Sequence, residues 1–165
     1  MNRDELRAIQ KPIKDAYKAD KAAGLITLNA EGSLSDSDVA CSVQTGRALV
    51  EAGLHPATGG TGSLACSGDM LLQALVACAG VTLRSVATSR GIEVTGTLRA
   101  EGDLDFQGTM GTNADAPVGF TAIRLLFDLQ SDAAADDLDA LIETTEKYCV
   151  VFQTLATPPQ LSVSR

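Results

Sequence analysis

The stretch SGDMLLQALVACAGVTLRSVATSRG, residues 67–91, decides the fold. Ser67 is a good N-cap residue and Gly91 a typical helix stop, so the stretch predicts one helix of about 22 residues, roughly 33 Å long. Between Met70 and Val81 only Gln73 is strongly polar. A helix that is apolar almost all round has to be covered on several sides. We therefore expect it to be the central element of the protein.

Strands and a further helix are predicted on the carboxyl side of this stretch. Ile92–Leu104 alternates apolar and polar residues, which predicts a strand with one buried face. Val118–Leu129 is its expected hairpin partner. Apolar residues at helical spacing then predict a last helix, capped near Ser131 and stopped by Pro158. Gln160–Ser164 is predicted to be a final short strand that closes the sheet.

The amino-terminal part predicts a helix and a small sheet. Apolar residues recur every three or four positions among charged ones from about residue 3 to about residue 20, which is typical of an amphipathic helix. Short strands are predicted at Gly24–Ala30, around Cys41 and at Arg47–Gly53, followed by a glycine-rich loop at Leu54–Gly68. A chain of 165 residues fits one domain. We expect a single α+β domain over 1–165 rather than a parallel doubly wound fold.

Composition and charge exclude several classes of protein. The chain has 21 acidic and 13 basic residues, a net charge of -8, which leaves no cationic footprint for nucleic acid or an anionic membrane surface. Its longest apolar run is shorter than the ~20 residues of a membrane span. The amino terminus lacks the apolar stretch of a signal peptide, so we expect a cytoplasmic protein with reduced thiols.

Four cysteines, at positions 41, 66, 78 and 149, are the remaining candidates for chemistry. They form no Cys-x-x-Cys pair and His55 is the only histidine, so we expect neither a metal site nor a serine hydrolase. Cys78 and Cys149 lie on apolar stripes of predicted helices. They are either small core side chains or a reactive pair, since packed helices can bring facing cysteines within disulfide reach. Cys41 is expected to be inert sheet packing, and Cys66 a loop thiol with a modest redox role or none.

Three segments of the chain carry a resemblance: SGDMLLQALVACA at 67–79, GFTAIRLLF at 119–127 and EKYCVV at 146–151. In this order they resemble the two cysteine segments and the intervening strand of the OsmC/Ohr family, the osmotically inducible and organic hydroperoxide resistance proteins. The resemblance covers roughly residues 54–165. It implies an OsmC-like fold, in which antiparallel sheets wrap around two long central helices in an intertwined homodimer.

The resemblance also implies a reaction and its residues. By position, Cys78 matches the peroxidatic cysteine and Cys149 the resolving cysteine of a thiol peroxidase that reduces organic hydroperoxides in oxidative stress defence. Cys78 would become a sulfenic acid, and Cys149 would capture it as a disulfide that an external dithiol such as a lipoyl group reduces. This chemistry requires no metal or flavin cofactor.

The sequence departs from the family pattern near Cys78. A glutamate that holds an activating arginine is expected ten residues before this cysteine, where the chain has Gly68. Asp69 is acidic and matches other branches of the family, but on an ideal helix it lies about 180° around from Cys78. Burial raises the pKa of a mid-helix thiol, so we expect a nearby cation. Arg47 on the early strand is the best candidate.

A second function of a different class stays open beside the peroxidase. The chain could be a non-catalytic OsmC-like protein that binds an apolar small molecule or lipid beside the two cysteines. The reactivity of Cys78 separates the two hypotheses, because only a peroxidase needs an activated thiol at neutral pH.

Overall fold

The structure, a computed structural model, describes residues 2–19, 32–34, 40–45 and 48–165. The chain divides into two compact units. Unit 1 contains the described residues within 1–26 together with 74–99 and 125–165, and unit 2 contains those within 27–73 together with 100–124. The single domain over 1–165 stays a prediction.

Helices and strands both contribute to the fold, which confirms the α+β class. In chain order the elements are α1 (Arg3–Ala19), β1 (Gly32–Leu34), β2 (Ala40–Thr45), β3 (Ala48–Gly53), β4 (Ala65–Cys66), α2 (Ser67–Arg90), β5 (Thr95–Leu104), α3 (Phe106–Thr109), β6 (Phe120–Gln130), α4 (Ala135–Tyr148) and α5 (Val150–Ala156). Helices α1 and α2 lie where the sequence predicts them. Gly91 has a φ of 71°, a left-handed conformation that suits glycine and ends α2 as expected.

Unit 2 contains a four-stranded sheet in the order β1-β2-β3-β4. Strands β2 and β3 form the predicted antiparallel pair, with Val43 opposite Val50. Strand β1, where the sequence predicts no strand, pairs antiparallel with β2. The strand predicted at Gly24–Ala30 lies outside the described residues. Strand β4 pairs in parallel with β3, with Ala52 opposite Ala65, inside the stretch predicted to be a loop. A two-residue strand is too short to produce a period in the sequence, so the pattern could not reveal it.

Strands β5 and β6 pair with each other as the predicted hairpin. In unit 2 the Thr121 hydroxyl donates to the carbonyl of Asp103, and in unit 1 the Ser131 hydroxyl donates to the carbonyl of Glu93. The partners run in opposite order along the chain, so the pairing is antiparallel. Arg124 forms a bidentate ion pair with Asp103 on the exposed surface, and its hydrogen bonds hold the pKa of that carboxyl below the usual range.

The core of unit 1 forms where α2 meets α4. Helix α2 buries a stripe of residues spaced four apart. Helix α4, together with Cys149 directly after it, buries a second stripe with the same spacing. The stripes are Leu75, Ala79, Leu83 and Ala87 on α2, and Leu141, Thr145 and Cys149 on the other side. The buried Thr145 hydroxyl donates to the Leu141 carbonyl at 2.8 Å, so its burial leaves no orphaned donor.

The last helix is not continuous, contrary to the prediction of one helix between Ser131 and Pro158. It begins only at Ala135 and is divided into α4 and α5 at Cys149, whose φ and ψ of -73° and 109° are extended rather than helical. Ser131 does not cap it, because its hydroxyl bonds to the Glu93 carbonyl and the Ala133 N–H, ahead of the helix. The apolar period continues through the break, so the sequence pattern did not show it.

The final strand predicted at Gln160–Ser164 is also wrong, since these residues have no regular structure. Leu161 is 85% exposed and Val163 is 101% exposed, so these side chains contribute almost nothing to a core in this chain. Alternating apolar and polar residues do not form a strand by themselves, because the backbone also needs a neighbouring strand with which to form hydrogen bonds.

Within a single chain, α2 is not covered on several sides as its composition predicts. Only the Leu75–Ala87 stripe is buried, whereas Val81 is 72% exposed and Leu71 is 38% exposed. By length and composition α2 could cross a membrane, although the core helix of a soluble protein passes the same test. An apolar helix surface is therefore left open in unit 1, around the middle of α2.

Candidate functional site

The structure brings Cys78 and Cys149 together in unit 1. Cys78 lies near the middle of α2, next to the buried stripe, and is partly exposed. Cys149 lies between α4 and α5 and is fully buried. Cys149 lowers the pKa of the Cys78 thiol, as a hydrogen-bond donor to its sulfur does, and Cys78 raises the pKa of Cys149. Neither cysteine is in a disulfide. A sulfenic acid formed on Cys78 would have a second thiol in contact with it.

The helix break at Cys149 supplies hydrogen-bond donors to this pair. The Cys149 N–H still bonds to the Thr145 carbonyl at 2.8 Å, and its carbonyl accepts from Gln153 at 2.9 Å, so α5 starts immediately after it. The first N–H groups of a helix have no acceptor inside the helix. Those of Val150 and Val151 lower the pKa of the Cys78 thiol, as hydrogen-bond donors to its sulfur do. The break thus directs backbone donors at the thiol on the facing helix.

These donors decide the ionisation of Cys78. Burial raises the pKa of the Cys78 thiol, but the hydrogen bonds from Val151, Cys149, Val150 and Thr82 outweigh it, and the net pKa lies below the ordinary value. Burial acts in the direction that the sequence predicts, but the N–H, S–H and O–H donors outweigh it. An activating contribution from Arg47 stays a prediction, because this residue lies outside the described part of the chain.

Cys149 is affected in the opposite direction. Burial raises its pKa, the N–H of Phe152 lowers it, and the adjacent Cys78 raises it further, so the net pKa lies above the ordinary value. Two interacting thiols lose their protons one after the other, and the pKa of the first loss is a property of the pair rather than of one cysteine. The partly exposed Cys78 is the sulfur on which the negative charge is favoured.

Thr82 and the two valine N–H groups are site features that the sequence reasoning missed. The Thr82 hydroxyl donates to the Cys78 carbonyl at 2.8 Å and also contributes to lowering the Cys78 pKa. Its position four residues after Cys78 is a signal that the sequence offered, since residues spaced by four share a helix face. The N–H groups of Val150 and Val151 gave no such signal, because their exposure depends on the break at Cys149.

The other predicted site residues are placed elsewhere. Arg47 lies outside the described residues. Asp69 is in the first turn of α2, about 13.5 Å along the helix axis from Cys78 at the usual rise, and is not among the groups that shift the Cys78 pKa. At Gly68 an added Cβ would lie 3.4 Å from the Phe120 ring and 3.6 Å from the Cys66 sulfur. The position where the family pattern has glutamate therefore faces an aromatic ring and a thiol in unit 2.

Cys66 belongs to β4 and not to a loop as predicted. It is half-buried and lines a cavity of about 430 Å³ in unit 2. Cys41 is in β2, where its backbone is opposite Ala52 of β3 and Leu34 of β1, in agreement with a place within the sheet. Across the described part of the chain no three His, Cys, Asp or Glu side chains gather where they could hold a metal ion.

Comparison with known proteins identifies relatives of this chain. The model of the OsmC-like protein family matches residues 60–164. No curated protein matches the sequence with statistical significance. Among solved structures, an OsmC-like protein from Mycoplasma pneumoniae superimposes with a TM-score of 0.67 at 16% identity, over 81% of this chain and 89% of the other.

Two further similar structures carry more specific names. One is an organic hydroperoxide resistance protein OsmC from Legionella pneumophila, with a TM-score of 0.59 at 15% identity over 81% of this chain and 92% of the other. The second is the organic hydroperoxide resistance protein OhrB of Bacillus subtilis, with a TM-score of 0.54 at 16% identity over 79% and 93% of the two chains. At these identities the likeness concerns the fold.

Proposed function

The chain belongs to the OsmC-like protein family, and we propose that it is a thiol peroxidase that reduces organic hydroperoxides in defence against oxidative stress. The observation that carries this proposal is the pairing of two reduced cysteines, one near the middle of α2 and one at the break between α4 and α5, in which Cys149 lowers the pKa of Cys78. The names of the structures from Legionella pneumophila and Bacillus subtilis, organic hydroperoxide resistance proteins, support the choice of substrate.

The first step is attack by Cys78 on the hydroperoxide. The Cys78 thiolate displaces alkoxide from the peroxide, so an S–O bond forms as the O–O bond breaks. The alkoxide takes a proton from water and leaves as the alcohol, and Cys78 becomes a sulfenic acid. The N–H groups of Val150 and Val151 favour the thiolate that starts this step. Partial exposure of Cys78 leaves its sulfur open to the substrate.

The second step joins the two cysteines. The Cys149 sulfur attacks the sulfenic sulfur of Cys78, forming a disulfide and releasing water. An external dithiol, such as a lipoyl group, then reduces the disulfide by thiol–disulfide exchange and is itself oxidised to a disulfide. In this proposal the thiols complete the cycle without a metal or flavin cofactor. A supply of reduced dithiol fits the cytoplasmic location predicted from the sequence.

A single oxidation experiment tests the cysteine pair. We expect one equivalent of cumene hydroperoxide to convert the reduced protein into a form with a Cys78–Cys149 disulfide, detected by peptide mass mapping. Cys41 and Cys66 should stay reduced and serve as internal controls. A disulfide between Cys66 and Cys78, or no disulfide at all, would show that the roles are assigned wrongly.

The pH dependence of alkylation tests the activation of Cys78. Because its pKa is lowered, we expect alkylation of Cys78 by iodoacetamide to reach half of its maximum rate at a lower pH than alkylation of a cysteine in a short unstructured peptide. Cys149→Ala removes the S–H donor and should move the midpoint upward, whereas Cys149→Ser keeps a hydroxyl donor and should move it less. The rate is measured by mass spectrometry of the Cys78 peptide.

The same experiment addresses the alternative of non-catalytic binding of an apolar molecule or lipid beside the cysteines. If Cys78 alkylates at pH 7 no faster than an ordinary buried thiol, the binding function replaces the peroxidase. The large apolar-walled cavity of unit 2 does not favour that alternative, because neither Cys78 nor Cys149 lines it.

The peroxidase is proposed to act as a homodimer. Apolar side chains beside the two thiols are left exposed in the single chain: Val81 is 72%, Tyr148 61% and Val150 70% exposed. A second copy would bury this surface, and we expect light scattering to report a dimer at micromolar concentration. Val81→Glu should raise the dissociation constant of the dimer at least roughly 100-fold, because an unpaired carboxylate is costly to bury. Val163→Glu, in the exposed carboxyl-terminal segment, is the matched control. A monomeric wild type would contradict the dimer.

A further inference from the structure

We propose that the cavity of unit 2 is a binding site for a small aromatic amine, separate from the thiol pair. Its volume is about 430 Å³, within the range of roughly 300–1,000 Å³ found for small-molecule sites. All of its lining residues belong to unit 2. Neither Cys78 nor Cys149 lines the cavity, so it would be a second site beside the proposed peroxidase site.

Aromatic and aliphatic side chains form the walls of the cavity. Phe106 stacks on the His55 ring, with 4.6 Å between the ring centroids and 18° between the planes. Phe120 lies against Gly102. An added Cβ at Gly102 would be 2.5 Å from the Phe120 ring, so only a glycine leaves room for the ring there. Leu72 and Leu104 complete the apolar surface. Flat rings on the wall suit an aromatic ligand.

The charge on the lining determines the sign of the ligand. His55 accepts a hydrogen bond at Nδ1 from the Ala57 N–H, at 3.1 Å. Among the described lining residues Asp69 is the one acidic side chain, and none of them is a lysine or an arginine. Asp69 has no ion-pair partner among the described residues. A protonated amine can pair with this carboxylate while its ring packs against the aromatic wall.

Cys66 provides a reporter inside the cavity. Its thiol is half-buried and lines the same space as Asp69 and Phe120. A bound molecule would shield this thiol from reagents in solution. Slower alkylation of Cys66 therefore measures occupancy of the cavity directly, and peptide mass mapping separates it from the other cysteines.

The test uses the full-length protein and three probes with the same ring: 1-naphthylmethylamine, 1-naphthalenemethanol and 1-naphthoate. We expect the amine to bind saturably by calorimetry and to slow the alkylation of Cys66. The alcohol should bind about 2- to 5-fold more weakly, as expected for loss of one exposed ion pair, and the carboxylate more weakly still. Asp69→Asn should remove the difference between the amine and the alcohol.

A pair of substitutions at Gly68 tests the location. Gly68→Leu directs a side chain toward Phe120 and Cys66 and should weaken the amine at least about 10-fold by filling the space. Gly68→Ala adds only a Cβ at ordinary contact distance and should stay within about twofold of the wild type. Cys78→Ser should bind the amine like the wild type, so that binding and peroxide reduction fail independently.

Three results would overturn the proposal. The first is the absence of saturable amine binding. This result includes a dimer in which the second copy covers the cavity, so that Cys66 is unreactive even without a ligand. The second is equal affinity of the wild type for the amine and the alcohol. The third is unchanged affinity in Gly68→Leu.

Discussion

Cys78→Ser is expected to reduce peroxide consumption at least about 1,000-fold, to the uncatalysed rate or close to it. A serine hydroxyl is not ionised at neutral pH, and the donors that lower the Cys78 pKa, from Val151, Cys149, Val150 and Thr82, cannot compensate for a difference of that size. The substitution is nearly isosteric and lies at a partly exposed position, so the fold should persist. Cumene hydroperoxide consumption with dihydrolipoic acid as reductant measures the loss.

The matched control for Cys78→Ser is Cys41→Ser. It makes the same thiol-to-hydroxyl change in β2, where we expect only packing. This control should keep the wild-type rate. Residual activity in Cys78→Ser that also requires the dithiol would place the reacting thiol elsewhere in the chain.

Cys149→Ser is expected to leave the first turnover and stop the subsequent ones. Cys78 can still reduce one equivalent of hydroperoxide, but no thiol remains in contact with its sulfenic acid to form the disulfide. Further peroxide should then oxidise Cys78 to the sulfinic acid, which the dithiol does not reverse. Mass spectrometry of the Cys78 peptide should show two added oxygens, and the kinetics should show one burst without a steady state.

Rescue distinguishes a missing resolving thiol from a damaged site. An added small monothiol can capture the sulfenic acid as a mixed disulfide in place of Cys149, and a second equivalent releases Cys78. Turnover of Cys149→Ser should return as the monothiol concentration rises, whereas Cys78→Ser should not respond. Full steady-state turnover of Cys149→Ser with the dithiol alone would mean that Cys149 is not the resolving residue.

Local sequence signals were sufficient where an element is long and its ends are marked. Helix α2 starts at Ser67 and ends before Gly91 as predicted, and the left-handed conformation of Gly91 ends it. The sequence pattern did not predict the helix break at Cys149, because the apolar period continues through it. The strand prediction at Gln160–Ser164 failed as well, because these residues alternate like a strand but pair with no strand in the described part of the chain.

The sequence by itself determined the family, the class of fold and the two cysteines worth testing, because these depend on residue order and on periods within single elements. Only the tertiary structure decided the ionisation of Cys78. The donors that lower its pKa include the N–H groups of Val150 and Val151, more than seventy residues later in the chain, and they are free only because the helix breaks at Cys149. A backbone N–H is present at every residue except proline, so no pattern of side chains can reveal which ones are left without a helical partner and directed at a thiol.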